Sequence, residues 1–329
     1  MRENFSELEF QFALMMGYYT IFSKQDGLNL YMPTSSEEKD QFASDWFYEN
    51  AQGVHFYLQF KKSAIATQIR IRNRKQLFEQ ASSEDLKAKR PVFRNDNKGV
   101  FEIVIYKNKD NIYQQHNLLF NKSQHFSSLA YYVAPIFTSR FELQSNLIQW
   151  LKRKNYNNKL IYKLFYREGI SPMEYESLTE NFGFFKDVIY IHPHTSIDDD
   201  NSHYYCFNKN REVSFHSDIL PLEKNGFDFS SVIKEVENKL VSGKTSTVIE
   251  AADINLQVIK NHFTENNISV IRDYKIERIF DTQVKDSENI ISILEGFKTS
   301  KKYRNYVIGI NKLFQELFDI QVGFIYPRF

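Results

Sequence analysis

The chain has 329 residues, 42% of them hydrophobic and 25% charged, and its 42 basic and 41 acidic side chains leave a formal charge of +1. With 11 glycines and 7 prolines against 30 Phe, 20 Tyr and 2 Trp, it is neither a collagen-like nor a low-complexity polymer, and it carries enough apolar area to fold. Balanced charge excludes a global pull on polyanions, the single Cys206 excludes an intramolecular disulfide and a thiolate zinc site, and the length corresponds to about two domains.

The first local signal is Ser6-Glu7-Leu8-Glu9, a capping box that predicts a helix over about 6–19. Leu8, Phe12, Met15, Met16 and Tyr19 recur at three- and four-residue spacing and form its expected apolar face. The run from Phe10 to Phe22 is interrupted by Gln11 and Thr20 and follows Glu3, Glu7 and Glu9. Neither a signal peptide nor a membrane span is expected there, and one cysteine fits a reducing cytoplasm.

After the turn-rich stretch from Pro33 to Asp40, runs at 45–48 and 54–61 flank a five-residue connection ending in Gly53 and predict a β-hairpin. Further strands are expected at 100–107, 129–137, 188–192 and 203–207, with helices at about 141–153 and 172–181. Ser171-Pro172-Met173-Glu174 supplies a cap, a first-turn proline and a capping glutamate for the second of these helices. The mixture predicts an α/β fold with a mixed central sheet flanked by helices. From about residue 228 the spacing turns helical, through Phe229, Val232, Val236 and Leu240, then Ile290, Leu294 and Phe297, then Tyr306, Ile310, Leu313 and Leu317. The expected organisation is an α/β core over 1–220 and a helical C-terminal region over 221–329.

The chemistry concentrates at Asp45 and, after thirteen intervening residues, Gln59-Phe60-Lys61. In an extended strand His55, Tyr57, Gln59 and Lys61 share one face, while Val54, Phe56, Leu58 and Phe60 share the other. That alternation predicts a buried apolar face and a polar, chemically equipped one, whose glutamine and lysine form a candidate site. A basic stretch follows: residues 61–94 hold ten bases against three acids. Lys62, Arg70, Arg72, Arg74 and Lys75 are its candidate nucleic-acid contacts, the three arginines aligning on one face if the segment is extended.

With an acid-bearing helix before them, Asp45, Gln59 and Lys61 give the sequence a pattern that resembles the PD-(D/E)XK nuclease superfamily, in its Mrr-like branch where Q-x-K replaces the second acid. The resemblance covers roughly residues 6–140. It implies a restriction-endonuclease-like core and metal-dependent hydrolysis of phosphodiester bonds in DNA, in restriction or anti-phage defence. It also implies Mg²⁺ or Mn²⁺ held by Asp45, Gln59 and Glu9, with Glu7 the other candidate acid on the helix. Lys61 would orient the attacking water or stabilise charge on the phosphoryl group. Double-stranded DNA is the implied partner. The rival expectation is a catalytically silent component that binds nucleic acid or protein, its C-terminal helices serving as an assembly surface for a homo-oligomer or a partner.

Other groups read as structural. His192, His194 and His203, with Asp198, Asp199 and Asp200, are metal-ligand types in no metal-binding spacing, and a polar loop between two strands accounts for them. Gln115-His116 is expected to open a helix with an ordinary hydrogen bond. Ser242-Gly243-Lys244-Thr245 has Asn238 where a phosphate-binding loop needs glycine, and no Gly-x-Ser-x-Gly elbow occurs.

Overall fold

A computed structural model describes residues 5–22, 28–31, 50–72, 99–107, 113–143, 145, 187–216, 220–221, 226–265 and 290–327. The chain divides into two compact units that interleave along the sequence. The first comprises Met1–Asp26, Gln59–Ser123 and Ala130–Glu235; the second comprises Gly27–Leu58, Gln124–Leu129 and Val236–Phe329. No single cut near residue 220 separates them, because Gly27–Leu58 belongs with the C-terminal region. The architecture is mixed α/β, as expected from the sequence.

In the first unit, helix α1 (Glu7–Phe22) starts at the expected capping box: the Ser6 N–H donates to Glu9 Oε2 at 2.6 Å and the Glu9 N–H donates to Ser6 Oγ at 3.1 Å. Its buried row is Phe10, Leu14 and Tyr18, spaced by four, whereas Leu8 is 72% exposed. Leu8, expected on the apolar face, is thus open to solvent: the helix is apolar around most of its circumference, so spacing alone does not select the buried row, and ring packing does. Phe10 meets Phe60 and Phe137 edge-on at 6.2 and 6.4 Å between centroids, Phe5 adds a contact to Phe137, and Tyr18 stacks on Phe229.

Strand β1 (Leu28–Tyr31) belongs to the second unit, and β2 (Gln52–Phe60) runs from the second unit into the first. Strands β3 (Ala64–Ile65) and β4 (Val100–Ile105), helix α2 (Gln114–Gln124), and strands β5 (Ser128–Pro135) and β6 (Val188–Ile191) follow. Next come β7 (His203–Asn208), β8 (Val213–His216) and β9 (Leu220–Pro221). In the first unit β5 pairs antiparallel with β6, and β3-β4-β7-β8-β9 form a wholly antiparallel second sheet. The Lys61 N–H donates to the Val133 carbonyl and the His55 N–H to the Ser127 carbonyl, both at 2.9 Å. The equal step of six along both segments makes β2 and β5 parallel neighbours, so this sheet is mixed.

The second unit adds helices α3 (Phe229–Val241, shared with the first unit), α4 (Val248–Glu265), α5 (Ile290–Thr299) and α6 (Tyr303–Phe318), and strands β10 (Ser246–Thr247) and β11 (Gln321–Pro327). The C-terminal region is thus helical with two strands that periodicity did not reveal. β11 lies between β1 and β2, antiparallel to both, and β10 pairs with the first residues of β2. Gly53 permits this closeness, since a Cβ there would sit 2.4 Å from the Ile325 carbonyl oxygen. Gly243, at φ +66°, turns the chain after α3 as its Schellman-type cap, with the Lys244 N–H donating to the Lys239 carbonyl at 2.9 Å. The segment 242–245 is a helix stop. Asp253 on α4 accepts from the Lys298 ammonium and the Tyr306 hydroxyl, tying α4 to α5 and α6.

The 45–48 arm of the expected hairpin lies outside the described residues; among those residues β2 pairs with β11 along 54–58 and with β10 at 52–53. The polar face of β2 is largely covered. Tyr57 is buried and donates to Asn255 Oδ1 on α4 at 3.2 Å, and His55 is buried against the Phe324 ring at 4.9 Å. Alternation records polarity and not coverage. Predicted helix 172–181, and 141–153 beyond its first residues, lie outside the described residues. Among the described residues no helix is long and apolar enough to cross a membrane.

Candidate functional site at the end of β2

The Q-x-K segment ends β2 in the first unit. Gln59 is 0% exposed, and neither its amide oxygen nor its amide nitrogen has a hydrogen-bond partner among the described residues. Such groups cost roughly 1–3 kcal/mol when buried unbonded, and native proteins hold few of them without a functional or solvent role. Two residues on, Lys61 is 5% exposed, its ammonium 5.2 Å from the centroid of the Tyr106 ring at the end of β4. The antiparallel register of β3 and β4, Ala64 opposite Glu102, is what brings Tyr106 alongside this segment.

Helix α1 delivers acids to the neighbourhood with different fates. Glu7 Oε2 accepts the Lys62 N–H at 3.1 Å, which places this carboxylate against the Q-x-K-K segment. Glu9 is occupied elsewhere. It accepts the Ser6 N–H and two hydrogen bonds from Arg140 Nη2, at 2.9 and 3.1 Å. The Ser6 amide first, then Arg140, hold its carboxyl below the usual carboxylate range. The helix acid beside Lys62 is therefore Glu7. Asp45 lies outside the described residues.

The basic stretch divides likewise. Residues 68–72 form a helical turn, with the Ile71 N–H donating to the Thr67 carbonyl at 3.0 Å and Thr67 Oγ1 accepting the Arg70 N–H at 3.4 Å. Arg70 and Arg72 therefore lie on a helical turn and not along one face of a strand. Thr67 caps a turn that the Ile-Arg-Ile-Arg alternation hides. Arg70 is committed internally, paired with Glu102 and stacked 3.6 Å over the Tyr204 ring centroid. Arg72 is exposed, Lys62 is half-buried with its ammonium 5.9 Å from the Phe5 ring centroid, and Arg74 and Lys75 lie outside the described residues.

The histidines are parts of the fold, as their loop placement suggests. His116 Nε2–H donates to the Thr195 carbonyl at 2.7 Å, so Nδ1 accepts the Tyr132 hydroxyl at 2.8 Å. Burial pushes its pKa down to about 4. His194 meets the Tyr205 hydroxyl at 2.9 Å, and burial also takes its pKa down to about 4, helped by His203. His203 holds Asp199 at 2.8 Å, while His192 lies between the Ala130 carbonyl and Glu235. Among the described residues no three His, Cys, Asp or Glu side chains converge as a metal would require.

Tyr106 escaped the sequence reading. A tyrosine closing a β-rich run looks like core, and only the register of β4 with β3 places it beside Lys61 and leaves it exposed. No known family model, curated protein or solved structure matches this chain.

Proposed function

We infer that the chain is a metal-dependent nuclease acting on DNA in restriction or anti-phage defence, with its reacting groups at the end of β2. The observation that carries this is the buried amide of Gln59, without a hydrogen-bond partner among the described residues, two residues before Lys61 and on a strand whose continuation is held by a helix-borne carboxylate, Glu7. Folding alone favours a bonded or apolar group at such a position, and a ligand oxygen is a reason to keep an amide there.

The donors suit Mg²⁺ or Mn²⁺, which bind through one or two carboxylates and neutral oxygens. Gln59 Oε1 and the Glu7 carboxylate would hold it, with Asp45 as the second carboxylate expected from the sequence. Such an ion, when bound, polarises a phosphoryl oxygen and lowers the pKa of a bound water. The chain's own contribution is Lys61, whose ammonium sits in a water-poor setting where it stabilises negative charge building on the phosphate more strongly than it would in water. Removing one such donor costs about 10²–10³ in rate. Purified protein incubated with plasmid and Mg²⁺ or Mn²⁺ is expected to nick or linearise it, and Lys61→Ala is expected to lose at least about a hundred-fold in rate. Unchanged cleavage by Lys61→Ala would remove Lys61 from the mechanism.

Two observations favour a second reading, a catalytically silent nucleic-acid-binding protein. Glu9 is fully engaged by Ser6 and Arg140, and Gln59 has no solvent exposure. It predicts binding without turnover under every metal condition.

A further inference from the structure

Residues 192–202 carry the chain of the first unit from β6 in one sheet to β7 in the other, and α2 holds them through Asn117 and His116. Asn117 grips the segment as a neighbouring strand would. Its amide nitrogen donates to the Ile197 carbonyl at 2.9 Å, and its amide oxygen accepts the Ile197 N–H at 2.8 Å. His116 is fully buried, with Nε2–H on the Thr195 carbonyl of the segment and Nδ1 on the Tyr132 hydroxyl of β5. Further along, the Lys107 ammonium donates to the Asp200 carbonyl and the Tyr113 hydroxyl to the Asn201 carbonyl. Within the segment, His194 Nδ1 meets the Tyr205 hydroxyl of β7 at 2.9 Å, and its ring packs edge-on against Phe215 of β8, centroids 4.2 Å apart.

We propose that residues 192–202 form an acid-released strap, held across α2 while His116 and His194 are neutral and freed when they take up protons. The hydrogen bonds of His116 require the neutral ring. A carbonyl only accepts, so Nε2 carries the proton and Nδ1 keeps a lone pair for Tyr132. A second proton on Nδ1 would face the hydroxyl hydrogen of Tyr132 and set a cation at a position with no solvent exposure. The titratable groups around the two rings are Tyr132 on β5, Tyr205 and His203 on β7, and each other. Asp199 of the strap is engaged by His203 at 2.8 Å and by the Asn201 N–H at 2.7 Å. Burial, opposed by the Thr195 bond and helped by His194 and His203, takes the His116 pKa down to about 4; burial and His203 take that of His194 down to about 4. Once the strap opens, each ring returns toward the ordinary histidine value of about 6.5. The contribution of these rings to closure is therefore complete above about pH 6.5 and is lost as the pH falls toward 4. For each histidine, opening becomes about twenty-fold more favourable at pH 5 than at pH 7.

The test is hydrogen exchange of the Ile197 amide, followed by NMR at pH 7 and pH 5 and expressed as protection relative to an unstructured chain, which removes the intrinsic pH dependence. The Tyr190 amide of β6, which donates to the Phe227 carbonyl, serves as the reference for opening of the whole unit. Ile197 in the wild-type protein is expected to lose at least about twenty-fold in protection between pH 7 and pH 5, and at pH 5 to be at least ten-fold less protected than Tyr190. His116→Gln keeps an N–H for the Thr195 carbonyl and takes up no proton, so it should reduce the pH effect at Ile197 by about twenty-fold. His194→Asn should reduce it by the same factor and tests the same claim if His116→Gln does not fold. Asn117→Ala, which removes the grip at every pH, should lower Ile197 protection by about ten-fold at pH 7. Unchanged protection of Ile197 between the two pH values would overturn the proposal, as would a full pH effect in both histidine variants. Equal protection of Ile197 and Tyr190 at pH 5 would also overturn it, by showing that acid opens the unit and not the strap.

Discussion

Gln59 holds both ends of its amide buried and, among the described residues, unbonded, at a cost of roughly 1–3 kcal/mol, where a leucine of similar volume would carry none. Gln59→Leu is therefore expected to raise the urea midpoint by the equivalent of about 1 kcal/mol and to abolish metal-dependent cleavage. A loss of stability in urea unfolding would show that the amide is structural. At this scale the sequence disclosed residue types and spacing well: the Ser6–Glu9 box forms as written, and Gln59 and Lys61 end a strand. Coverage and competition for partners were hidden. Glu7 and Glu9 are indistinguishable as letters, and what separates them is that Arg140, 131 residues away in sequence, takes Glu9. Arg70 likewise looks free until Glu102 and Tyr204 fold against it.

Among the elements, β2 shows most clearly what spacing can and cannot reveal. Its alternation located a strand correctly to within two residues, yet a strand buried on both faces can carry His and Tyr wherever a helix offers them partners, as Asn255 does for Tyr57. The close approach of β11 to β2 depends on a missing side chain. Gly53→Ala would drive a methyl group to within 2.4 Å of the Ile325 oxygen, so the strands must separate. We expect it to lower stability by about 1–3 kcal/mol, read as a fall in thermal midpoint; an unchanged midpoint would mean that the strands are not held at this spacing. The C-terminal helices were legible because their apolar residues repeat at helical spacing over several turns. β10, two residues long, was too short for any period, and β11 (Gln321-Val-Gly-Phe-Ile-Tyr-Pro) follows a helix without a strong turn signal.

At the scale of the whole molecule, the units are assembled from alternating stretches of chain, and a division at 220 would remove strands and helices that the second unit needs around Gly27–Leu58. A fragment of residues 1–220 is accordingly expected to lack a cooperative thermal transition, measured by circular dichroism. A fragment that melts cooperatively would contradict the interleaved division. Interleaving is a property of long-range pairing and leaves no mark in local composition, so a boundary near 220 is all that periodicity suggests. The pairing of β2 with β11 joins residues 54–58 to 321–325. During synthesis, then, β2 leaves the ribosome on the order of 10–50 s before its antiparallel neighbour exists, at translation rates of about 5–20 residues per second. Throughout that interval the nascent chain carries an uncapped hydrophobic edge, the kind of surface on which chaperones act and from which inclusion bodies grow.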